Sequence, residues 1–220
     1  MSDAWARVDQ YVTDTIVQQD DALIDALRES AAAGLPPISV SAPQGKLLML
    51  LARAQRARSI LEVGTLGGYS TIWLARALPS DGQLVTLELD AKHAAVARRN
   101  VDRAGIGGMV EIIEGRAIET LPTLLSHPAA PFDLVFIDAD KATIPEYFGW
   151  ALRLTKSGSV IIVDNVVRNG ALADPDSRDA NVQGVRTLHD LIAGDSRVSA
   201  TTIQTVGAKQ YDGFTLILVN

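Results

Sequence analysis

The chain has 220 residues, 47% of them hydrophobic and 21% charged, which is enough apolar material for one substantial core. A formal net charge of −6 speaks against a nucleic-acid partner or an anionic membrane surface, because phosphate recognition calls for clustered Lys and Arg. With no cysteine, disulfides, thiolate metal sites and a cysteine nucleophile are excluded. The start, Met1-Ser2-Asp3-Ala4-Trp5-Ala6-Arg7, has no basic-then-apolar leader, and no apolar run reaches membrane-spanning length. The expectation is a cytoplasmic protein with a single domain over residues 1–220. From about Ala4 to Ala33 the apolar residues keep helical spacing (Val8, Tyr11, Val12, Ile16, Leu23, Leu27), and Gly34-Leu35-Pro36-Pro37 stops the pattern. Residues 1–35 therefore read as a helical extension, and 40–220 as the core that carries the chemistry.

A helix is predicted from about Pro43 to Gln55, with Leu47, Leu48, Leu50 and Leu51 on a broad apolar face. Strands follow at about 59–63, 84–89, 109–113, 133–137 and 159–163, separated by helices at about 69–78, 91–104, 116–126 and 143–154. That rhythm implies a parallel sheet with right-handed crossovers, an α/β fold with helices on both faces. Leu172–Asp179 reads as a loop, and Val182, Val185, Leu188 and Ile192 mark a helix near 180–193. Two more strands, about 197–206 and 213–219, flank Lys209-Gln210-Tyr211-Asp212-Gly213. Asp-Gly between strand patterns predicts an antiparallel hairpin at the sheet edge.

Chemistry concentrates at the strand ends. Asp133–Ile137 runs into Asp138-Ala139-Asp140-Lys141, and Ser159–Val163 into Asp164-Asn165. In an open parallel sheet ligands bind outside the carboxyl ends of the strands, so both clusters face one crevice. Oxygens from Asp138, Asp164 and Asn165 would form a nest for a hard divalent cation. A third strand, Ser59–Val63, leads into the glycine loop Gly64-Thr65-Leu66-Gly67-Gly68-Tyr69-Ser70. This loop lacks the Gly-x-Gly-x-x-Gly of dinucleotide sites, and Glu62 just before it would repel a phosphate but suit an ammonium group. Glu88, at the end of the next strand, is spaced to accept two ribose hydroxyls, a role equally open in a nicotinamide-dependent oxidoreductase. Taken together, the acids favour a ligand with adenosine, an ammonium and a sulfonium but no phosphate, which describes S-adenosylmethionine.

Leu61–Ser70, Ile137–Lys141 and Val163–Asn165 together resemble the cation-dependent class I O-methyltransferases, bacterial relatives of caffeoyl-CoA and catechol O-methyltransferases. The resemblance runs from about Val40 to Tyr211-Asp212-Gly213-Phe214. It implies a seven-stranded, mainly parallel sheet ending in an antiparallel hairpin, and a set of site residues. Glu62, Gly64, Thr65 and Ser70 would hold the methionine part of the cofactor, with backbone help from Val40. Glu88 would bind the ribose, Ala117 the adenine, and Asp140 with Tyr147 would close on the methionine end. Asp138, Asp164 and Asn165 would bind Mg²⁺, and Lys141 would act as general base on one hydroxyl of a catechol or hydroxycinnamoyl-type diol. Asn169 is a candidate substrate contact, and the N-terminal helices are candidates for a homodimer surface.

Plainer readings stand beside these. Glu62 could cap the next helix, Asp164-Asn165 could be a turn, and Lys141 could be an ion pair at a helix start. Tyr147 and Trp150 could be partly core; His93, His127 and His189 read as structural or surface, and Arg98-Arg99 as a solvated face. A non-catalytic S-adenosylmethionine-binding protein is a further alternative. Arg186-Thr187-Leu188-His189 departs from the pattern of the relatives on the acceptor side, which leaves the substrate open.

Overall fold

The computed structural model describes residues 2–220; Met1, with which the predicted extension begins, lies outside the described residues. The extension is two helices, not one: α1 (Ser2–Val12) passes through a wide π-type turn at Thr13–Val17 before α2 (Asp21–Ala32) begins. Gln18 breaks the run with a left-handed backbone, φ 52°, and the Asp20 carboxylate restarts it by accepting the Leu23 N–H. Next comes α3 (Ala42–Ala54), capped at its start by Ser41. The alternating part then runs β1 (Ser59–Val63), α4 (Tyr69–Ala75), β2 (Gln83–Glu88), α5 (Ala91–Arg103), β3 (Val110–Glu114), α6 (Ala117–Thr120), β4 (Phe132–Ile137), α7 (Ile144–Leu154) and β5 (Thr155–Asp164). The chain ends with α8 (Ala180–Ala193), β6 (Val198–Gly207) and β7 (Gln210–Val219). The single helix predicted over 116–126 is short, because Pro122 turns its second half, Leu121–Ser126, into a tighter 3₁₀ coil.

The strands form one seven-stranded sheet in the order β3-β2-β1-β4-β5-β7-β6, as the α/β reading expects. The first five run parallel to one another, and β7 pairs antiparallel with both β5 and β6. Order reverses between β1 and β4, so the crevice at their carboxyl ends is the place for a ligand. Side chains alternate between faces along each strand. Leu61, Val63, Val135, Ile137, Ile161 and Val163 pack under α7 and α8. Ile60, Leu134, Phe136 and Ile162 pack on the other face with Leu48, Ile72 and Trp73. Val17, Leu23 and Ala26 of the extension join this second core. Among the described residues no helix is long and apolar enough to cross a membrane.

Asp212-Gly213 is not the hairpin turn. β6 and β7 pair as far as Gly207 with Gln210, so Ala208 and Lys209 make the turn and Asp212 lies within β7. Its carboxylate serves elsewhere, since Oδ1 accepts the N–H groups of Val167, Arg168 and Gly213, each at 3.0 Å. One side chain thus anchors the segment that leaves β5. Removing a charged acceptor shared by three amides leaves them unpaired. Asp212→Ala is therefore expected to cost about 2 kcal/mol of folding stability, seen as a lower urea midpoint at unchanged slope; an unshifted midpoint would contradict the anchoring role.

Candidate active site

The carboxyl edge of the sheet opens into one cavity of about 830 Å³, within the range of small-molecule sites. The glycine loop forms its floor. Glu88, last residue of β2, accepts the N–H groups of Thr65 (3.1 Å) and Leu66 (2.7 Å) through one carboxylate oxygen. Its other oxygen accepts the Asp90 N–H at 3.0 Å and faces His93 at 3.5 Å. Gly64 has φ 101°, and a Cβ there would press into the carbonyl of Asp138 on β4's end. Only glycine allows that close approach of the two strand ends. From below, Asn100 of α5 donates to the carbonyls of Gly67 (2.8 Å) and Ala26 (3.3 Å), which ties the helical extension to the loop.

Glu62 does not line the cavity. Its place in the alternation puts it on the α4 face of β1, where it is 0% exposed. There Oε1 accepts from Ser70 Oγ (2.7 Å), and Oε2 from Thr71 Oγ1 (2.5 Å) and Thr86 Oγ1 (2.7 Å). Thr86 spends its proton on Glu62, so Thr65 donates in the 2.6 Å contact between the two hydroxyls. Burial, only partly offset by these bonds, pushes the Glu62 carboxyl up to about 7. Its position is that of a brace beneath the loop, so the direct ammonium contact expected from sequence has no support in the geometry.

At the β4 end, Lys141 is 6% exposed and its Nζ donates to Asp138 Oδ1 at 2.8 Å. Lys141 owes its depth to α8, where Gly184 lies against its carbonyl; a Cβ at 184 would drive into it. Asp140 accepts the Thr143 N–H (3.0 Å) and the Tyr147 hydroxyl (2.7 Å). Burial alone would raise the Asp140 carboxyl, but those hydrogen bonds outweigh it and hold the group below the usual carboxylate range. Burial raises the Tyr147 phenol, and the same pairing adds to the rise.

Asp164 ends β5 on the α3 face and is 3% exposed. One oxygen accepts Gln44 Nε2 at 2.7 Å and the other the Asn165 N–H at 2.8 Å. Burial and the nearby negative charge of Asp138 both raise its carboxyl, while Lys141 works against them. Asp164 thus feels the charges of both Asp138 and its partner Lys141, and Asn165 follows in a left-handed turn at φ 54°. This all-oxygen set, short of positive charge, fits a hard divalent cation. Among the described residues no cluster of three His, Cys, Asp or Glu forms, so any such set would draw on the Asn165 amide oxygen, water or substrate oxygens beside the two acids.

The cavity wall unites Val40, Gly64, Thr65, Ser70, Glu88, Ala117, Asp138, Asp140, Lys141, Tyr147 and Asn165. Asp164 stands just behind it, and Asn169 is exposed outside it. Gln44, His93 and Arg168 join the site without being singled out for it by the sequence. His93 carries a signal, since it sits one helical turn from the Glu88 strand end, whereas Gln44 reaches Asp164 across 120 residues and leaves none.

The O-methyltransferase family profile matches residues 13–219. A catechol O-methyltransferase of Niastella koreensis is 52% identical over 96% of both chains, and one of Mycobacterium tuberculosis is 54% identical over 96% of this chain and 94% of its own. Two crystal structures superpose closely. An O-methyltransferase from Streptomyces achromogenes involved in tomaymycin synthesis, in complex with S-adenosylmethionine, has a TM-score of 0.97 at 55% identity, covering 100% of this chain and 98% of its own. One from Bacillus cereus with S-adenosylhomocysteine has a TM-score of 0.98 at 52% identity, with 100% of both chains covered. The chain belongs to the O-methyltransferase family, which sets the oxidoreductase reading aside.

The hydroxyl cage makes a prediction of its own. The unfolded Glu62 carboxyl loses its proton near 4.5, whereas the folded one keeps it up to about 7. Between these values the unfolded chain binds fewer protons, so this group lowers stability as pH rises, by roughly 3 kcal/mol over the window. Glu62→Gln is expected to flatten that fall in urea titrations from pH 4.5 to 7 in EDTA. An unchanged pH slope would remove Glu62 as its source.

Proposed function

Given that family membership, we propose that the chain is a divalent-cation-dependent enzyme that methylates one hydroxyl of a small vicinal-diol aromatic, a catechol or hydroxycinnamoyl-type acceptor. The observation that carries the reading is the single cavity running from Glu88 at the β2 end to Asp138, Lys141 and Asn165 at the β4 and β5 ends. The catechol O-methyltransferase relatives point the same way.

Bound in this cavity, S-adenosylmethionine supplies a methyl carbon that leaves its sulfonium sulfur for the acceptor oxygen, and a divalent cation, Mg²⁺ in the simplest case, supplies Lewis acidity that eases loss of the hydroxyl proton. The remaining work falls to the chain. Val40, Gly64, Thr65 and Ser70 line the methionine end, with Asp140 and Tyr147 opposite, and Glu88 and Ala117 line the nucleoside end. Asp140, kept ionised by Thr143 and Tyr147, is the carboxylate best suited to the ammonium. Asp138, Asp164 and Asn165 would hold the cation, with Gln44 fixing the Asp164 carboxylate through its 2.7 Å bond. Lys141 can take the departing hydroxyl proton on Nζ only once its amine has released its own proton to solvent, and the Asp138 carboxylate at 2.8 Å would then stabilise the ammonium that re-forms. Positioning accounts for most of the rate gain, because an in-line displacement needs little acid–base strength once the reacting atoms are aligned. A homodimer is supported by the large apolar side chains left open on the extension, among them Val8, Tyr11 and Ile16 at 60%, 69% and 72% exposure.

Transfer of labelled methyl groups to a catechol panel, in Mg²⁺ and in EDTA, tests the reading. EDTA is expected to abolish turnover and Mg²⁺ to restore it; transfer indifferent to EDTA would defeat the cation step. Asp164→Ala is expected to lose at least about a hundred-fold in rate, a typical loss for a transition-state stabiliser, while still binding S-adenosylmethionine in calorimetry. Retained turnover would take Asp164 out of the site. Lys141→Ala is expected to lose most rate at low pH and recover as pH rises, since the acceptor then ionises unaided. A small, pH-independent loss would assign Lys141 a structural role.

A further inference from the structure

Four basic side chains line the cavity: His93, Arg116, Lys141 and Arg168. Three are engaged by acids, His93 by Glu88 at 3.5 Å, Arg116 by Glu119 at 3.4 Å and Lys141 by Asp138 at 2.8 Å. Arg168 is different. Among the described residues it has no carboxylate within 4.0 Å, and its Nε is buried with no hydrogen-bond partner. Its charge reaches Asp179 only at longer range. Yet its backbone is held firmly, in a left-handed conformation at φ 55°, with its N–H bound to Asp212 at 3.0 Å. Such a conformation costs a non-glycine residue on the order of 1 kcal/mol or more, so the fold supports a cation here at some expense.

The topology says what that cation faces. Glu88 ends β2, the glycine loop follows β1, Asp138 follows β4 and Arg168 follows β5, in that order along the sheet edge. The end of β5 lies three strands from the end of β2 and two from the end of β1, so the segment that carries Arg168 borders the cavity on the side away from Glu88. That is the side on which the proposed acceptor would lie. Asp138 in the wall is already paired with Lys141, so Arg168 adds a positive charge that, among the described residues, no neighbouring acid offsets.

We infer that Arg168 is a specificity-determining residue that recognises a carboxylate carried by the acceptor, so that the preferred substrates are dihydroxyaromatic acids. A guanidinium suits this role, since its planar fork pairs with a carboxylate through two parallel N–H···O bonds. The inference rests on the methyl-transfer reading for its substrate class, but its test does not need turnover.

Wild type, Arg168→Gln and Arg168→Lys would be titrated by calorimetry with 3,4-dihydroxybenzoate and with its neutral amide, in saturating S-adenosylhomocysteine and Mg²⁺. The KM values for both acceptors and for S-adenosylmethionine would be measured alongside. The carboxylate is expected to bind at least ten-fold more weakly to the Gln variant, with the amide and S-adenosylmethionine within two-fold of wild type and partial recovery in the Lys variant. Equal loss for both acceptors, a raised KM for S-adenosylmethionine, or no dependence of carboxylate binding on residue 168 would each overturn the inference. If wild type methylates neither acceptor, the methyl-transfer reading fails, and carboxylate binding that depends on Arg168 would still uphold this one.

Discussion

The site depends on the Glu88 carboxylate more than on any other group. By accepting the N–H groups of Thr65 and Leu66, it ties the glycine loop of β1 to the end of β2. That fixes where Gly64 meets the Asp138 carbonyl, and hence where the Asp138 side chain and its partner Lys141 stand. Loop amides are satisfied by a carboxylate instead of water, so the floor of an open cavity is pinned by hydrogen bonds to the end of β2. One oxygen of Glu88 is fully occupied in this work. The second, shared only with the Asp90 N–H and His93, is the one that can face a ligand.

Acids at a sheet edge are costly in so far as they lose water, and this chain manages each in a different way. Glu62 is surrounded by three hydroxyls and carries its load as a brace. Asp140 is held ionised by an amide and a phenol. Asp138 is paired with a lysine, and Asp164 has only amide donors, from Gln44 and its own successor. The least compensated acids therefore sit next to each other on β4 and β5. Desolvation without a full set of partners is unfavourable for folding, and it persists where chemistry uses it. An incoming cation would meet in Asp164 a ligand already stripped of water, which would make the deficit an asset for binding.

How much of this could be read from the sequence follows from how local each feature is. Strands β1 to β5 announce themselves as apolar runs, and their acidic ends are adjacent in the chain, so Asp138, Asp164 and Asn165 can be grouped without coordinates. Which face a buried acid takes cannot be read this way, because strands covered on both sides show no polar alternation. Glu62 is hard to place for that reason: counting from Ile60 puts it on the α4 face, but only the packed structure says what α4 offers there. Asp212-Gly213 carries a true turn signal that tertiary context overrides, since three amides at the end of β5 and on β7 need the same carboxylate. The break between α1 and α2 contains neither Gly nor Pro and rests on Gln18 in an unusual backbone state, which no spacing rule marks.

The two ends of the cavity are built by different means, and this bears on specificity. The cofactor end is made of strand termini and a helix-start loop, elements whose positions the whole core determines. The acceptor end is made by the segment after β5, where Asn165, Arg168 and Asn169 all take left-handed backbones. Few side chains favour that conformation, and arginine is not among them. The segment keeps it because Asp212 of β7, a strand that arrives at the far end of the chain, binds it from below. If Arg168 reads the acceptor as inferred, selectivity rests on a short segment outside the sheet whose backbone is anchored from β7. One anchored loop, carrying one unpaired guanidinium, lets a shared methyl-transfer platform distinguish its acceptor.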